Sequence, residues 1–245
     1  SVAVVRFCPH IPVMLKLLPL ILLIGYTALS LVSAMWRTRA MLAQQSKPLT
    51  DPAILRLADR LADGLDVPQI KVSVFEVPVV NGLAAADGQI YLTRGFLNAR
   101  ARGEVTAEEL ASVIAHELGH VALGHMRRRM IDFTGQNAVV LTLSALVNRF
   151  LPGLGPMLIR TISAALMARL SQRDEFEADA YASALLIKAG IGTGPQITLF
   201  EKLGHLTGQN GATAPAWLLS HPRTEARIAA IRANTARWQS GVSGA

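Results

Sequence analysis

A mostly helical α+β fold with a small sheet and one N-terminal transmembrane helix is what this chain of 245 residues predicts. Three observations carry that expectation. Leu17 to Met35 runs 19 residues without a charge, just enough for a bilayer-spanning helix. Helix start and stop signals then recur from Asp51 to the C-terminal region. Period-two alternation, the mark of a half-buried strand, is confined to Lys71–Val77 and Gln89–Thr93.

Taken in order, residues 1–40 form an N-terminal segment whose anchor covers about residues 13–36. Hydrophobic residues make up 51% of the chain and mean hydropathy is +0.35, which suits a protein that meets a membrane. A cleaved signal peptide is the rival reading, because Val32-Ser33-Ala34 suits a signal peptidase. The apolar stretch is long for that purpose, and Arg37 and Arg39 follow it, so a retained anchor is expected. Lys16 can snorkel at one end, and Pro19 falls near the first turn, where it is tolerated. Arg6 and Lys16 precede the span, while Arg37, Arg39 and Lys47 follow it. The positive-inside rule therefore leans toward a single-pass protein of the inner membrane with residues 47–245 in the cytoplasm. Those residues are expected to be one domain, ample for a core. The one cysteine, Cys8, precedes the anchor, so neither an intrachain disulfide nor a cysteine metal site is expected, and a lipobox is absent.

Within that domain Asp51-Pro52 starts a helix that ends near Gly64. The two alternating segments, with turn signals at Asn81-Gly82 and Asp87-Gly88, read as a small sheet with a hairpin. Thr106 with Glu109 has the form of a capping box, and Leu110, Val113, Ile114, Val121 and Met130 follow at helical spacing without proline, predicting a helix over 107–130. Ala138 to Val147 and Leu151 to Ile159 are apolar but interrupted by Arg149, Arg160, Pro152 and Pro156. Neither is long enough to span a bilayer cleanly. A helical hairpin insert over about 131–170, packed on the domain or dipping into the membrane interface, is expected instead. Gly194-Pro195 opens another helix, His221-Pro222 marks a turn before a helix from Thr224 to Trp238, and the polar tail beyond should be loose.

The chemistry lies in His116-Glu117-Leu118-Gly119-His120. Residues four apart on a helix differ by about 40° around its axis, so both imidazoles leave one face and can grip one Zn²⁺. Glu117, beside the first ligand, can reach a water at the metal rather than the metal itself, which is where a general base for metal-assisted hydrolysis belongs. Apolar Val113, Ile114, Leu118 and Val121 would partly desolvate that water and magnify electrostatic effects.

One protein ligand is still missing. His125 lies about 180° around a continuous helix from His116 and does not match metzincin spacing, which would need glycine at 123 and histidine at 126. It reads as a surface histidine or one that backs a ligand. The acidic run Asp174-Glu175-Phe176-Glu177-Ala178-Asp179 serves better. On a helix Glu175 and Asp179 share a face with Ala178, Ala182 and Leu186, whereas Glu177 points about 200° away from Glu175. Small alanines let such a helix come close to the first, making Glu175 the third ligand and Asp179 an acceptor for a ligating imidazole. A solvated acidic helix start is the bland alternative; it accounts for Asp174 but not for carboxylates on the small, apolar face.

With HELGH, then Glu175-Phe176-Glu177-Ala178-Asp179, then His221-Pro222-Arg223-Thr224-Glu225-Ala226-Arg227-Ile228, the chain resembles the HtpX-like membrane metalloproteases, zincin-fold gluzincins related to the CaaX prenyl protease. The likeness runs from about Pro52 to Ile231. It implies one zinc per chain held by His116, His120 and Glu175, Glu117 as catalytic acid and base, Asp179 orienting a ligand, and His221 reaching the active site to help stabilise the oxyanion. Arg227 matches the arginine that closes the last motif. The family's substrate-contacting Asn-Ala-Phe segment corresponds here to Asn81-Gly82-Leu83. Taken alone, Asn81 is most simply a turn residue, and Gly82 departs from the pattern. The short hairpin insert is a second departure, because related proteases carry a transmembrane hairpin there.

The reading that follows is a membrane-anchored zinc endopeptidase acting on membrane or misfolded proteins in quality control, its substrates bound extended along an edge strand. A zinc-stabilised membrane scaffold or chaperone-like protein with a closed site is the alternative, and an intact Glu117 argues against it. The formal net charge of +7, with 19 Arg against 5 Lys, suits contact of Arg127-Arg128-Arg129 and nearby arginines with anionic headgroups. A solvated helix end serves the triplet equally well. Nucleic acid is a poor partner, since aromatics are 5% and none interleaves with the basic run.

Overall fold

The computed structural model describes residues 13–85, 87–125, 128, 155–206, 221 and 225–242. The insert as far as residue 154, Cys8, Arg127, Arg129 and 222–224 lie outside the described residues. Two compact units emerge, Ser1–Gln45 and Ser46–Ala245. The first consists of helix α1, Val13–Gln44, along which Leu18, Ile21, Leu22, Ile24 and Leu29 are exposed. Among the described residues no helix is long and apolar enough to cross a membrane, so the expected span gains no support from the structure.

The second unit is mostly helical around a four-stranded sheet, as the sequence predicts. Its elements are β1 (Ser46–Pro48), α2 (Pro52–Gly64), β2 (Val72–Phe75), β3 (Gly82–Ala84), β4 (Ile90–Thr93), α3 (Arg94–Ala101), α4 (Ala107–Ala122), α5 (Gly155–Lys188), α6 (Gly194–Leu206) and α7 (Glu225–Val242). Asp51 caps α2 by accepting from the Ala53 and Ile54 amides and also pairs with Arg100 at 2.7 Å. Pro52 takes the first helical position, where its missing N–H costs nothing.

The sheet order is β1-β2-β4-β3. β4 is buried along its whole length and pairs in parallel with β2, so the alternating segments are neighbours but not the two arms of a hairpin. The hairpin is β3 with β4, turned at Asp87-Gly88, where Gly88 takes φ 84°. Asn81-Gly82, expected as a turn, instead enters the edge strand. The Asn81 amide donates to Thr93 Oγ1 at 2.9 Å and its carbonyl accepts from the Thr93 amide at 3.0 Å. Gly82 is there because a Cβ would stand 2.5 Å from Val113 Cγ1, inside α4. β1 left no sequence signal; it is three residues long and ends in Pro48, which suits an edge.

The capping box is present. Thr106 Oγ1 accepts from the Glu109 amide at 3.1 Å, and Glu109 Oε2 accepts from the Thr106 amide at 2.8 Å. The same carboxylate accepts from Thr198 Oγ1 and pairs with Lys202, so the start of α4 is tied to α6. The helix stops at Ala122 rather than 130, and Gly124 just past its end takes the left-handed φ of 66°. α5 runs unbroken from Gly155, with Pro156 in its first turn, through the acidic cluster to Lys188. Asp174 therefore sits in mid-helix, which removes the acidic-helix-start alternative. α7 extends to Val242, so residues just past Trp238 are helical rather than loose. One core joins Ile54 and Leu61 of α2, Ile90 and Leu92 of β4, Leu110 and Ile114 of α4, Leu186 of α5 and Phe200 of α6.

Candidate metal centre

α4 and α5 cross where both are small. A Cβ on Gly119 would lie 3.0 Å from the Ala178 carbonyl oxygen and 3.1 Å from its Cα, so glycine lets the helices meet backbone to backbone. That approach sets the HELGH face against the face of Glu175 and Asp179. His116, Glu117, His120, Glu175, Asp179 and His221 are all buried.

The ring nitrogens His116 Nε2 and His120 Nε2 face each other at 3.1 Å. Glu175 Oε2 lies 3.4 Å from the former and Glu175 Oε1 3.5 Å from the latter. His221 Nδ1 joins them, 3.3 Å from His116 Nε2 and 2.8 Å from Glu175 Oε2. These four side chains offer donor atoms all within 4.8 Å of one another. Around a tetrahedral zinc with bonds of about 2.0–2.1 Å, neighbouring ligand atoms stand roughly 3.3 Å apart, so the spacings fit. Charge agrees. Among the described residues three buried carboxylates, Glu117, Glu175 and Asp179, surround the cluster with one buried guanidinium, Arg227, and a dication would supply the missing positive charge.

Three pKa shifts follow from this burial and these contacts. Burial lowers His116, but hydrogen bonds to Asp179 and Glu175 outweigh it and raise its pKa to about 9. Burial, reinforced by the charge of His116, takes His120 down to about 2. Burial would raise Glu175, yet the two imidazoles beside it, His116 and His221, hold its carboxyl well below the usual range.

Behind the donors, His116 Nδ1 donates to Asp179 Oδ1 at 3.0 Å, which turns Nε2 into the cluster. Arg227 clamps the same carboxylate from the far side, Nε to Oδ2 at 2.6 Å and Nη2 to Oδ1 at 2.9 Å, and sends Nη1 to Glu175 Oε2 at 3.3 Å. Its guanidinium also lies over the Phe200 ring, 4.7 Å from the centroid. Glu117 Oε1 is buried and makes no hydrogen bond among the described residues; His221 Nε2 lies 3.4 Å away. The Gly82 Cβ position falls 3.7 Å from Glu117 Oε1, so the edge strand passes over this carboxylate. Oδ1 of Asn81, the residue before Gly82, is also buried without a hydrogen bond among the described residues. Glu177 points elsewhere, to Arg173 at 2.7 Å and to His125.

The structure thus brings together His116, Glu117, His120, Glu175, Asp179 and His221. Sequence reasoning left Arg227 without a role, although an arginine two residues past the start of α7 is hard to assign until the carboxylates beneath it are known. Of the two readings of His125, a surface histidine or one that backs a ligand, the structure favours the second: it is buried and its Nδ1 lies 2.8 Å from His120 Nδ1. Gly124 was the available signal, as a glycine that ends the helix one residue before.

Residues 48–235 match the profile of the family described as Peptidase family M48. The chain is 32% identical over 157 residues to the metalloprotease LoiP of Escherichia coli (strain K12), covering 61% of this chain and 58% of LoiP. It is 28% identical over 184 residues to the metalloprotease YcaL of the same organism, covering 73% of this chain and 67% of YcaL. It is 25% identical over 251 residues to the protease HtpX of Stenotrophomonas maltophilia (strain K279a), covering 86% of this chain and 84% of that protein. The match thus spans less than two thirds of LoiP's own length.

Proposed function

The chain belongs to peptidase family M48, and on that premise we propose that it is a zinc-dependent endopeptidase working at a membrane. The observation that carries this reading is the buried Glu117 carboxylate, unbonded at Oε1, beside four converging donor side chains. A purely structural zinc site has no use for a desolvated carboxylate next to its ligands. In this reading His116, His120 and Glu175 hold the zinc. When bound there, zinc supplies Lewis acidity toward a peptide carbonyl and brings the ionisation of water near neutral pH. Glu117 Oε1 takes the proton of the attacking water and returns it to the leaving amine. Asp179, fixed by Arg227, keeps His116 in the tautomer that ligates. His221 Nε2, 3.4 Å from Glu117 Oε1, is near enough to donate to a developing oxyanion.

Substrate is read as an extended segment along the free side of β3, which is an outer strand of the sheet and passes over Glu117. Main-chain pairing of that kind discriminates little between sequences, which suits membrane or misfolded proteins as substrates. Asn81, with its buried side-chain oxygen, is the candidate substrate contact at the start of that strand. The 19 uncharged residues from Leu17 to Met35 are the sequence ground for an anchor in the inner membrane. The basic residues Arg37, Arg39 and Lys47 that follow support a cytoplasmic catalytic domain.

Glu117→Gln tests the proposal. The amide keeps size and burial but cannot accept the proton, so zinc content should be retained while cleavage of casein or another unfolded protein falls by about 10²–10⁴-fold. Wild type that binds zinc and cuts no unfolded substrate would instead support the scaffold reading.

One observation favours a second reading of His221. Its Nδ1 lies within the donor set, at 2.8 Å from Glu175 Oε2 and 3.3 Å from His116 Nε2, so it can complete the coordination sphere and close the site to substrate. His221→Ala separates the two. Slower cleavage at full zinc content is the expected outcome if His221 stabilises the oxyanion; faster cleavage would identify it as the closing ligand.

A further inference from the structure

Among the described residues the ligand His120 has no carboxylate against its outer nitrogen, in contrast to His116 with Asp179. Its Nδ1 lies instead 2.8 Å from Nδ1 of a second histidine, His125. His125 is itself buried, its ring 5.0 Å from that of His120 at an interplanar angle of 70°. Its Nε2 lies 3.2 Å from Glu177 Oε2 and 3.8 Å from Asp174 Oδ1. His125 follows Gly124, whose φ of 66° ends the regular helix of α4.

We propose that His125 is a positioning residue that sets the tautomer of His120 and thereby its competence to bind zinc. The inference rests on the zinc reading given above. Two ring nitrogens 2.8 Å apart share one proton, and the direction of that proton decides the outcome. If His120 Nδ1 carries it, His120 Nε2 is left with a lone pair facing the cluster and can ligate. If His125 Nδ1 carries it, neutral His120 must hold its own proton on Nε2, against the metal. The carboxylates behind His125 break the tie. A carboxylate only accepts, so Glu177 and Asp174 draw the His125 proton to Nε2 and leave Nδ1 as the acceptor. The line Glu177–His125–His120 thus does through one intervening imidazole what Asp179 does directly for His116. It also gives Glu177 a role at the site although its side chain faces away from the metal.

The test compares wild type, His125→Leu and His125→Asn in the full chain by zinc competition against a calibrated chelator, with ¹⁵N-histidine spectra of the zinc-loaded wild type. Leucine keeps the buried volume apolar but leaves His120 Nδ1–H without an acceptor, and zinc affinity should fall about 10–100-fold. Asparagine can offer Oδ1 near the position of Nδ1, and it should recover most of that loss, which a packing role would not predict. The wild-type spectra should show His125 protonated on Nε2 and bare on Nδ1. Leucine binding zinc as tightly as wild type, asparagine losing as much as leucine, or a proton on His125 Nδ1 would each overturn the inference. The spectra decide the matter even if a variant does not fold. Failure of the wild type to bind zinc tightly would overturn the proposed function itself, and is thereby distinguished from failure of the His125 role alone.

Discussion

Glu175→Ala is expected to abolish tight zinc binding and to take peptide-bond hydrolysis to background. Glu175 is the anionic member of the donor set, with Oε1 3.5 Å from His120 Nε2 and Oε2 3.4 Å from His116 Nε2. Without it three imidazoles must hold a dication in a buried site that has lost a negative charge. The fold should survive, because Arg227 keeps its two hydrogen bonds to Asp179 and the small residues that seat α5 on α4 are untouched. Glu177→Ala is the control. That residue is two positions on, bonded to Arg173, and reaches the site only through His125, so any loss of zinc should be partial. Metal content after dialysis against a weak chelator, with casein cleavage on the same samples, measures both. Full zinc occupancy in Glu175→Ala would exclude it as a ligand.

What the sequence made legible here follows from period and chemistry. HELGH and the pair Glu175, Asp179 each need only one stretch of regular helix to present their side chains on one face, and both stretches are regular. The capping box at Thr106 and the Asp51-Pro52 start are local signals, and both appear as expected. The errors arose where a contact distant in sequence decides the local conformation. Asn81-Gly82 has the composition of a turn, but its glycine serves to clear Val113 on α4, and the pair enters the edge strand. The parallel pairing of β2 with β4 leaves no mark in either segment. For His125 the surface alternative rested on a helix continuing past Gly124, and the structure favours the other reading, a histidine that backs a ligand.

The second large effect concerns the support of the site. Arg227→Met is expected to cost about 3–5 kcal/mol of folding stability, the usual penalty for leaving one member of a buried ion pair without the other. Arg227 is 2% exposed, and so is Asp179. The guanidinium makes two hydrogen bonds to that carboxylate, a third contact to Glu175 and a stacking contact with Phe200. Methionine replaces only the stacking. Burial would raise the Asp179 pKa, but hydrogen bonds from His116 and Arg227 outweigh it and hold the carboxyl below its usual value. With Arg227 gone, the Asp179 charge retains one imidazole partner in an apolar surround. Neutralising it should therefore repair part of the damage. In the double variant Asp179→Asn with Arg227→Met the amide oxygen can still accept from His116 Nδ1 while no charge is stranded, so the double variant should be more stable than Arg227→Met alone. Zinc affinity should not recover in parallel, because an amide is a weaker acceptor than a carboxylate behind a metal ligand. Denaturant unfolding of wild type, Arg227→Met, Asp179→Asn and the double variant with excess chelator gives the stability cycle, and zinc competition gives the affinities. A loss within about 0.5 kcal/mol of wild type for Arg227→Met, the range of an ordinary surface substitution, would show that the clamp on Asp179 contributes nothing to holding the two helices and their ligands together.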